Sequence, residues 1–410
     1  MWSRRPFVRA VVVLVLCGGV DVSLLVEVSA ADVESTETIV SRLVAAARIY
    51  DKREMRAASD QLVQRGTAAV PGLRSILGNV DDNVRWQAVV ALGRIGHPAA
   101  MESVPELVVA CRDRDADVRG AAAVALGRLR ARTAREAVGP LRLDGQPMVR
   151  SDAWWAWWQL TGDKRAVTQL VSLLSSKDWL ASDHASEHLA AIGATAVPQL
   201  VERLSGGRLK SRRLAGETLR RMGPRAGKAI PKLLRLLNAD DQKVAAIAAR
   251  VLGGQGVAAV SGLSDCLDSP RKHTRRLAVV ALGEIGAASG IVCCRLSKEL
   301  GVATGQELLQ LVTALGRIGS TAGVAVPGLV AALGDENQDV RGAACEALGR
   351  IGLRSRSVVD GLGKVAQSDP IDFVRLAARN AQKTLRNNPD RVLFGERLRS
   401  GKRETEKGTL

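Results

Sequence analysis

A short sequence pattern recurs along this chain at almost constant spacing, and it constrains the fold more than any other feature. The pattern V-R-x-x-A-x-x-A-L-G-x-I-G occupies 84–96 and returns, with small changes, from Val118 and from Val340. Including weaker copies, the equivalents of its leucine lie 30 to 34 residues apart. A period in this range is typical of repeat proteins, in which each copy packs only on its neighbours. The 410 residues are therefore predicted to form one repeat array rather than two or three ordinary globular domains.

Each copy contains two predicted helices. The first begins near a proline, as at Pro71, where the missing N–H group of proline is not needed. An acidic turn such as 81–83 follows, and its side chains are expected to cap the next helix. The second helix carries apolar residues on one face, among them Val84 and Leu92, and a glycine such as Gly96 ends it. Each repeat is therefore predicted to be a pair of antiparallel helices without strands.

This pattern resembles the HEAT-repeat family, in the short bacterial form that is akin to phycobilisome-lyase repeats. The resemblance covers roughly 37–386. It implies an all-α fold, a right-handed α-solenoid of about eleven stacked helix pairs, with the second helices lining the concave face. The period alone would also suit tetratricopeptide or ankyrin repeats, but their signature residues are missing.

Composition and recurring charge agree with a stacked array. Aromatic residues are only 3% of the chain while apolar residues are 46%, so the core must consist mainly of Ala, Val, Leu and Ile. An arginine recurs at the start of the second helix, and in HEAT stacks such residues commonly form ladders of hydrogen bonds between repeats. The arginines at this position, expected to be structural, are Arg85, Arg119, Arg150, Arg341 and Arg375.

The first thirty residues have the features of a secretory signal peptide. Three arginines precede the apolar run 10–20, and small residues lead to a predicted cleavage site after Ala30. An uncleaved membrane anchor is the alternative, but Asp21 lies inside the apolar stretch. We therefore predict an exported protein, periplasmic or extracellular, with a signal peptide at 1–30, the HEAT-repeat solenoid at 31–386 and a flexible basic tail at 387–410. No stable transmembrane segment is expected after cleavage.

Four tryptophans interrupt the repeat pattern within five residues. They are Trp154, Trp155, Trp157 and Trp158, and Trp157 aligns with the core leucine position. Successive helix residues point about 100° apart, so four rings do not all fit one buried stripe, and Trp155 is expected to face solvent or the groove. One interpretation is a local aromatic core. The other is a platform for a sugar ring, a proline-rich peptide or a cationic group, formed by Trp154, Trp155 and Trp158.

Basic residues are concentrated in the segment 203–235. It holds eleven Lys or Arg and one acid, more than half of the net charge of +17. The segment is either a solvated face or a surface that captures an anionic partner, and its candidate contact residues are Arg212, Arg213, Arg220 and Arg221. The expected partner is a protein or an anionic polymer. Nucleic acid becomes a candidate if the N-terminus is not a signal peptide.

The sequence offers one metal-binding candidate, His184 and His188 in an H-x-x-E-H match. The match is short and lies in a helix that already belongs to a repeat, so packed or solvated histidines are expected, with no metal and no cofactor. The leading hypothesis is a non-enzymatic, exported scaffold that binds a macromolecular partner on the concave face. The alternatives are a nucleic-acid-binding protein or DNA repair enzyme of HEAT type, and a protein similar to bilin lyases.

Overall fold

The structure of the protein, a computed structural model, describes residues 34–387, and helices make up all regular secondary structure within that range. The predicted signal peptide and nearly all of the predicted tail lie outside the described residues. The described chain divides into two compact units, residues 34–166 (the N-terminal unit) and residues 167–387 (the C-terminal unit). The predicted boundaries of a single array, 31–386, remain a prediction.

The N-terminal unit is a stack of helix pairs in which each second helix packs on the next, α4 on α6 and α6 on α8. Its helices are α1 Thr36–Arg48, α2 Lys52–Arg65, α3 Val70–Ser75, α4 Asp82–Ile95, α5 Val104–Ala110, α6 Ala116–Arg128, α7 Arg135–Leu141 and α8 Pro147–Thr161. The next helix, α9 Arg165–Leu173, spans the boundary between the units.

The C-terminal unit repeats the same arrangement, with the second helices in contact one after another from α10 to α22. Its helices are α10 Trp179–Ile192, α11 Val197–Gly206, α12 Leu209–Met222, α13 Ile230–Leu236, α14 Gln242–Gly253, α15 Val260–Cys266, α16 Lys272–Ile285, α17 Cys293–Leu300, α18 Gly305–Ile318, α19 Val326–Ala332, α20 Gln338–Ile351, α21 Arg356–Ser368 and α22 Asp372–Arg386. Along residues 34–387 the helices form eleven successive pairs, which confirms the predicted all-α repeat fold.

The turns contain the predicted capping residues. The Asp81 carboxylate accepts a hydrogen bond from the Asn83 N–H at 2.9 Å, and the Asp241 carboxylate accepts one from the Lys243 N–H at 2.9 Å. These side chains satisfy backbone donors that have no partner within the helix. Proline stands in the first turn of several first helices, as at Pro71 in α3. The sequence therefore determines where each helix begins through local chemistry.

The core of each repeat forms around the recurring leucine. Leu92, Leu126, Leu219 and Leu315 are fully buried. The glycine that follows this leucine lets adjacent second helices approach closely, since a Cβ atom on Gly93 would lie only 3.0 Å from the Ala125 Cα atom. Small residues therefore take the place of the large aromatic core residues that the composition lacks.

The recurring arginines form the predicted structural ladder. Arg85 makes two hydrogen bonds, at 2.8 and 2.7 Å, with the Asp113 carboxylate of the next repeat, and both side chains are largely buried. The Nη1 group of Arg85 also donates to backbone carbonyl groups five and six residues earlier. The same pattern of ion pair and carbonyl contacts recurs at Arg119 with Asp144 and at Arg341 with Asp369.

Three further arginines keep only part of this pattern. Arg150 and Arg375 donate to the preceding turn carbonyls, at Asp144 and Asp369 respectively. Arg275, which the sequence analysis did not assign to the ladder, donates to the Ser269 carbonyl at 2.9 Å. These arginines therefore share the hydrogen bonds to carbonyl groups of the preceding turn. The ion pair forms in addition where the next repeat supplies an aspartate.

Two helical runs have the length and hydropathy of a membrane span, Lys272–Leu300 and Gly305–Ala332. Each run is interrupted by a glycine with a positive φ angle, Gly286 at +71° and Gly319 at +75°, so each consists of two helices rather than one. Their apolar side chains include the fully buried core residues of these repeats. The apolar character of both runs is therefore explained by their packing within the C-terminal unit.

Candidate partner-binding surface

A groove of about 960 Å³ crosses five successive second helices of the C-terminal unit, α12, α14, α16, α18 and α20. We call it the C-terminal groove. Its charged lining residues are Glu217, Arg220, Arg250, Glu284, Arg317 and Arg350. The second helices were predicted to line the binding face, and this groove lies on them.

Glycine residues form the floor of the C-terminal groove. Gly253, Gly283 and Gly316 occupy the position that follows the core leucine in their helices. A Cβ atom on Gly283 would lie 2.8 Å from the Cα atom of Ala314, so close packing of neighbouring helices requires glycine here. At Gly283 and Gly316 only the alanine of the next second helix lies close to this position, whereas at Gly253 the Glu284 side chain occupies it, so a ligand can approach the backbone closely at Gly283 and Gly316.

The rim of the C-terminal groove carries more positive than negative charge. Arg220 forms an ion pair with Glu217 at 2.8 Å and Arg350 forms one with Glu346 at 3.2 Å, so two of the four arginines have an acidic partner. Arg250 and Arg317 are exposed and form no ion pair with any residue that the structure describes. Their guanidinium groups are available to a ligand carboxylate, which arginine binds through paired hydrogen bonds.

Glu284 lies among the arginines of the groove. Its partial removal from water raises the pKa of its carboxyl group, while the positive charges of Arg317, Arg250 and Arg220 act in the opposite direction. A carboxylate at this place divides the positive surface into two parts. The groove therefore suits a ligand with spaced negative charges better than a uniform polyanion.

The structure places the four predicted basic contact residues in different environments. Arg220 lines the C-terminal groove. Arg221 lies 3.7 Å from Asp183 and 3.4 Å from Glu217, and Arg213 is exposed. Arg220 and Arg221 therefore share Glu217 as a partner, and their assignment as contact residues remains a prediction.

Arg212 occupies the repeat position of the arginine ladder but keeps only part of its pattern. Its Nη1 group is paired with the Asp241 carboxylate, which caps α14 in the next repeat, whereas its buried Nε group has no hydrogen-bond partner among residues 34–387. By alignment on the core leucine, Arg212 occupies the same repeat position as Arg85. Local charge density places Arg212 among the candidate contact residues, whereas its repeat position indicates a structural role.

Three arginines of the C-terminal groove were missed by the sequence analysis, Arg250, Arg317 and Arg350. They lie outside the basic segment 203–235, but they stand at the exposed second-helix positions that correspond to residues 90 and 94. Comparing these positions across all repeats, instead of within one, would have found them.

The expectation that Trp155 faces solvent is wrong, because its exposed fraction is 8%. The corresponding residues Val90 and Val124 are partly buried, and Arg250 is exposed. In α8 the large indole ring reaches the preceding second helix and packs where Gly127 has no side chain, since a Cβ atom on Gly127 would lie 2.9 Å from the Trp155 ring. Trp155 is therefore a packing residue.

Trp154 and Trp157 hold the side chain of Arg142. The Arg142 guanidinium carbon lies 4.9 Å from the centroid of a Trp154 ring and 3.8 Å from that of a Trp157 ring, both within cation–π range. Trp157, which aligns with the core leucine, is therefore only partly buried. Its indole N–H donates to Asp163 at 3.3 Å, and hydrogen bonds from Arg165 lower the pKa of Asp163 to about 2.

Trp158 has a different environment from the other three tryptophans. It is partly buried and lines a second cavity, within the N-terminal unit, together with Arg130, Arg132 and Arg135. The three residues of the predicted aromatic platform therefore have different environments: Trp155 is buried, Trp154 contacts Arg142 and Trp158 lines this cavity.

His184 and His188 lie on one face of α10, as their spacing predicts. Both are partly buried, and their rings meet edge to face with centroids 6.1 Å apart. Their assignment as weak metal candidates remains a prediction.

Sequence comparison identifies the repeat family. A sequence model of HEAT repeats matches residues 70–157, 230–291 and 306–382, which together are more than half of the chain. The chain belongs to the HEAT-repeat family. No curated protein sequence matches it.

Solved structures of karyopherins share the fold. Kap121p bound to Pho4p is 13% identical, with a TM-score of 0.54 over 86% of this chain and 46% of that chain. Kap121p alone is also 13% identical, with a TM-score of 0.52 over 86% of this chain and 44% of that chain. Kap121p bound to Nup53p is 11% identical, with a TM-score of 0.51 over 85% of this chain and 47% of that chain. The chain spans about half the length of these proteins, and the likeness extends to the fold alone.

Proposed function

We propose that this protein is a non-enzymatic HEAT-repeat scaffold that binds an acidic segment of a protein partner in the C-terminal groove. The observation that carries the proposal is the arrangement of Arg220, Arg250, Arg317 and Arg350 along a floor of glycine residues. Repeat proteins use such extended surfaces to bind extended ligands.

The geometry of the C-terminal groove favours a peptide over a uniform polyanion. The glycine floor admits a peptide backbone, and the unpaired Arg250 and Arg317 can each bind a carboxylate. Glu284, which forms no ion pair with a residue in 34–387, repels a ligand that carries negative charge at every position. An acidic segment with neutral or basic residues between its acids matches this alternation.

The fold comparison supports a protein partner. The karyopherin structures named above include complexes with Pho4p and with Nup53p. Because those likenesses are at the level of fold, they support the kind of partner and give no information about its identity.

A binding measurement with a defined peptide tests the proposal. A fluorescein-labelled peptide of alternating Asp and Gly is titrated with the protein, and binding is followed by fluorescence anisotropy at several salt concentrations. The double substitution Arg250→Ser and Arg317→Ser is expected to weaken binding about tenfold or more, because each removes charge-assisted hydrogen bonds. Binding of the wild-type protein is expected to weaken as salt rises.

The control variant loses the same two positive charges as the test variant but leaves the groove intact. Arg354 and Arg356 are exposed in the same unit and do not line the groove, so the double substitution Arg354→Ser and Arg356→Ser is charge-matched. Equal loss of binding in both variants would show that only overall charge matters. Absence of peptide binding at low salt would contradict the proposal outright.

We also propose that the protein is exported after cleavage behind Ala30. The support is the order of basic start, apolar run and small residues within the first thirty positions. Cell fractionation followed by N-terminal sequencing of the mature protein tests this, with Ala31 as the expected first residue. A protein that begins at Met1 in the cytosol would refute export and would bring nucleic acid forward as the groove's partner.

A further inference from the structure

A second cavity, separate from the C-terminal groove, lies within the N-terminal unit. Its volume is about 650 Å³, within the range of small-molecule sites. It is formed by the turn between α6 and α7, which carries Arg130 and Arg132, the start of α7 at Arg135, and the last turn of α8 from Trp158 onward. We call it the Trp158 cavity.

The lining of the Trp158 cavity is positively charged and lacks an acid. Arg130, Arg132 and Arg135 are exposed, and none of them forms an ion pair with a residue in 34–387. No acidic side chain lines the cavity. In the C-terminal groove, by contrast, Glu217 and Glu284 offset part of the arginine charge. Three uncompensated guanidinium groups favour a ligand that carries more than one negative charge.

Arg130 is held in a backbone conformation that arginine rarely adopts. Its φ angle is +52°, whereas the corresponding residue after α4 is Gly96, with φ at +75°. A left-handed conformation is unfavourable for a residue with a Cβ atom, and such strain is typical of positions where the side chain serves a function. An arginine therefore lines this cavity at a repeat position that glycine occupies in other repeats.

Trp158 adds an aromatic surface to the same cavity. Trp154 and Trp157 contact Arg142, and Trp155 packs on Gly127, so their rings are engaged in the fold. Trp158 is partly buried and lines the cavity beside the buried Leu160. An aromatic side chain next to cationic groups matches a ligand with a ring next to an anion.

We propose that the Trp158 cavity binds a small phosphate monoester whose phosphoryl group is attached to a ring-bearing molecule. A phosphoryl group carries between one and two negative charges at neutral pH and has three acceptor oxygens for the arginines. The ring would contact Trp158. The ring can belong to a sugar or to a nucleoside, and this site is independent of the function proposed for the C-terminal groove.

Isothermal titration calorimetry with defined probes tests the site and distinguishes the two kinds of ring. The probes are inorganic phosphate, glucose 6-phosphate, adenosine monophosphate and glucose. At least one monoester is expected to bind more tightly than inorganic phosphate, and glucose is expected not to bind. The stronger monoester identifies the ring, while equal binding of both monoesters and phosphate, or no binding of either monoester at millimolar concentration, would overturn the proposal.

Two variants assign the binding to this cavity. The double substitution Arg132→Ser and Arg135→Ser is expected to weaken monoester binding about tenfold or more, because charge-assisted hydrogen bonds are lost. Arg48→Ser with Arg56→Ser, at exposed positions of α1 and α2, is the charge-matched control and is expected to bind as wild type. A similar loss in the control would overturn the assignment.

Arg130→Gly separates a binding role from a structural one. Glycine accepts the positive φ angle without strain, so this variant is expected to have a higher thermal midpoint while binding the monoester less tightly. Unchanged binding in this variant would show that the Arg130 side chain takes no part in the site.

Discussion

The buried ion pair of Arg341 and Asp369 makes the energetic role of the arginine ladder measurable. The exposed fractions of the two side chains are 12% and 4%, and two hydrogen bonds, at 2.7 and 3.1 Å, join them. Asp369 also accepts a hydrogen bond from the Ile371 N–H at 2.9 Å. Asp369→Ala removes all three contacts and leaves the Arg341 charge without its partner, so we expect the free energy of unfolding to fall by about 3–5 kcal/mol.

The control is an exposed pair of the same residue types in the same unit. Asp360 lies 3.6 Å from Arg356, and their exposed fractions are 70% and 93%. Asp360→Ala is expected to change the free energy of unfolding by less than about 0.5 kcal/mol. Urea unfolding followed by circular dichroism compares midpoint and slope, since a repeat array need not unfold in two states. A loss in Asp369→Ala within about 1 kcal/mol of the control would refute the buried-pair reasoning.

The same pair predicts a dependence on pH. Hydrogen bonding from Arg341 lowers the pKa of Asp369, although burial acts in the opposite direction. A lowered pKa in the folded state means that the stabilisation is fully present above the unfolded-state pKa, about 4, and is lost as pH falls through the folded-state pKa. The difference in stability between wild type and Asp369→Ala should therefore be constant from about pH 5 to 7 and shrink below about pH 4.

Three other substitutions have expected outcomes. Gly316→Ala places a Cβ atom 2.9 Å from the main chain of the next second helix and should lower the free energy of unfolding by about 1–3 kcal/mol. The control Gly334→Ala, with its nearest contact at 3.6 Å, should lower that free energy much less, and urea unfolding measures both variants. Arg142→Met removes the cation–π contact with Trp157 and should lower that free energy by about 1–2 kcal/mol, with a change in tryptophan fluorescence. Glu284→Gln removes a negative charge from the groove and should tighten acidic-peptide binding by about twofold to fivefold in the anisotropy assay. Unchanged stability in the first two variants, or weaker peptide binding in the third, would contradict these arguments.

The fold was predictable because its determinants repeat. Leu92 and its equivalents, the capping side chain of Asp81 and the arginine at Arg85 recur at fixed spacing, so one interpretation applies to many copies. Each copy also has its own local reason to form, since capping and apolar spacing act within about thirty residues. Periodic sequence therefore determines helix position and core composition together.

The candidate sites were less predictable because they depend on departures from the repeat. The burial of Trp155 follows from a missing side chain at Gly127, which lies about one repeat earlier in the chain. The positions of Trp154 and Trp157 follow from Arg142, a residue of the preceding turn. The repeat pattern places Gly127 beside α8, but it does not specify a tryptophan at position 155 or an arginine at position 142, so it gives no signal for these contacts. The arginines of the C-terminal groove, in contrast, stand at equivalent positions of their repeats, so an alignment of all repeats is enough to find them.

The glycine floor of the C-terminal groove separates what makes the protein stable from what it recognises. Gly283 and Gly316 are fixed by the close approach of neighbouring helices, whereas Arg250, Arg317 and Arg350 extend from the rim into solvent. Exchanging a rim residue leaves the helix contacts intact, so rim positions can change charge at little energetic cost. A groove built in this way can acquire a new ligand by substitutions at a few rim positions, while the array that supports them stays the same.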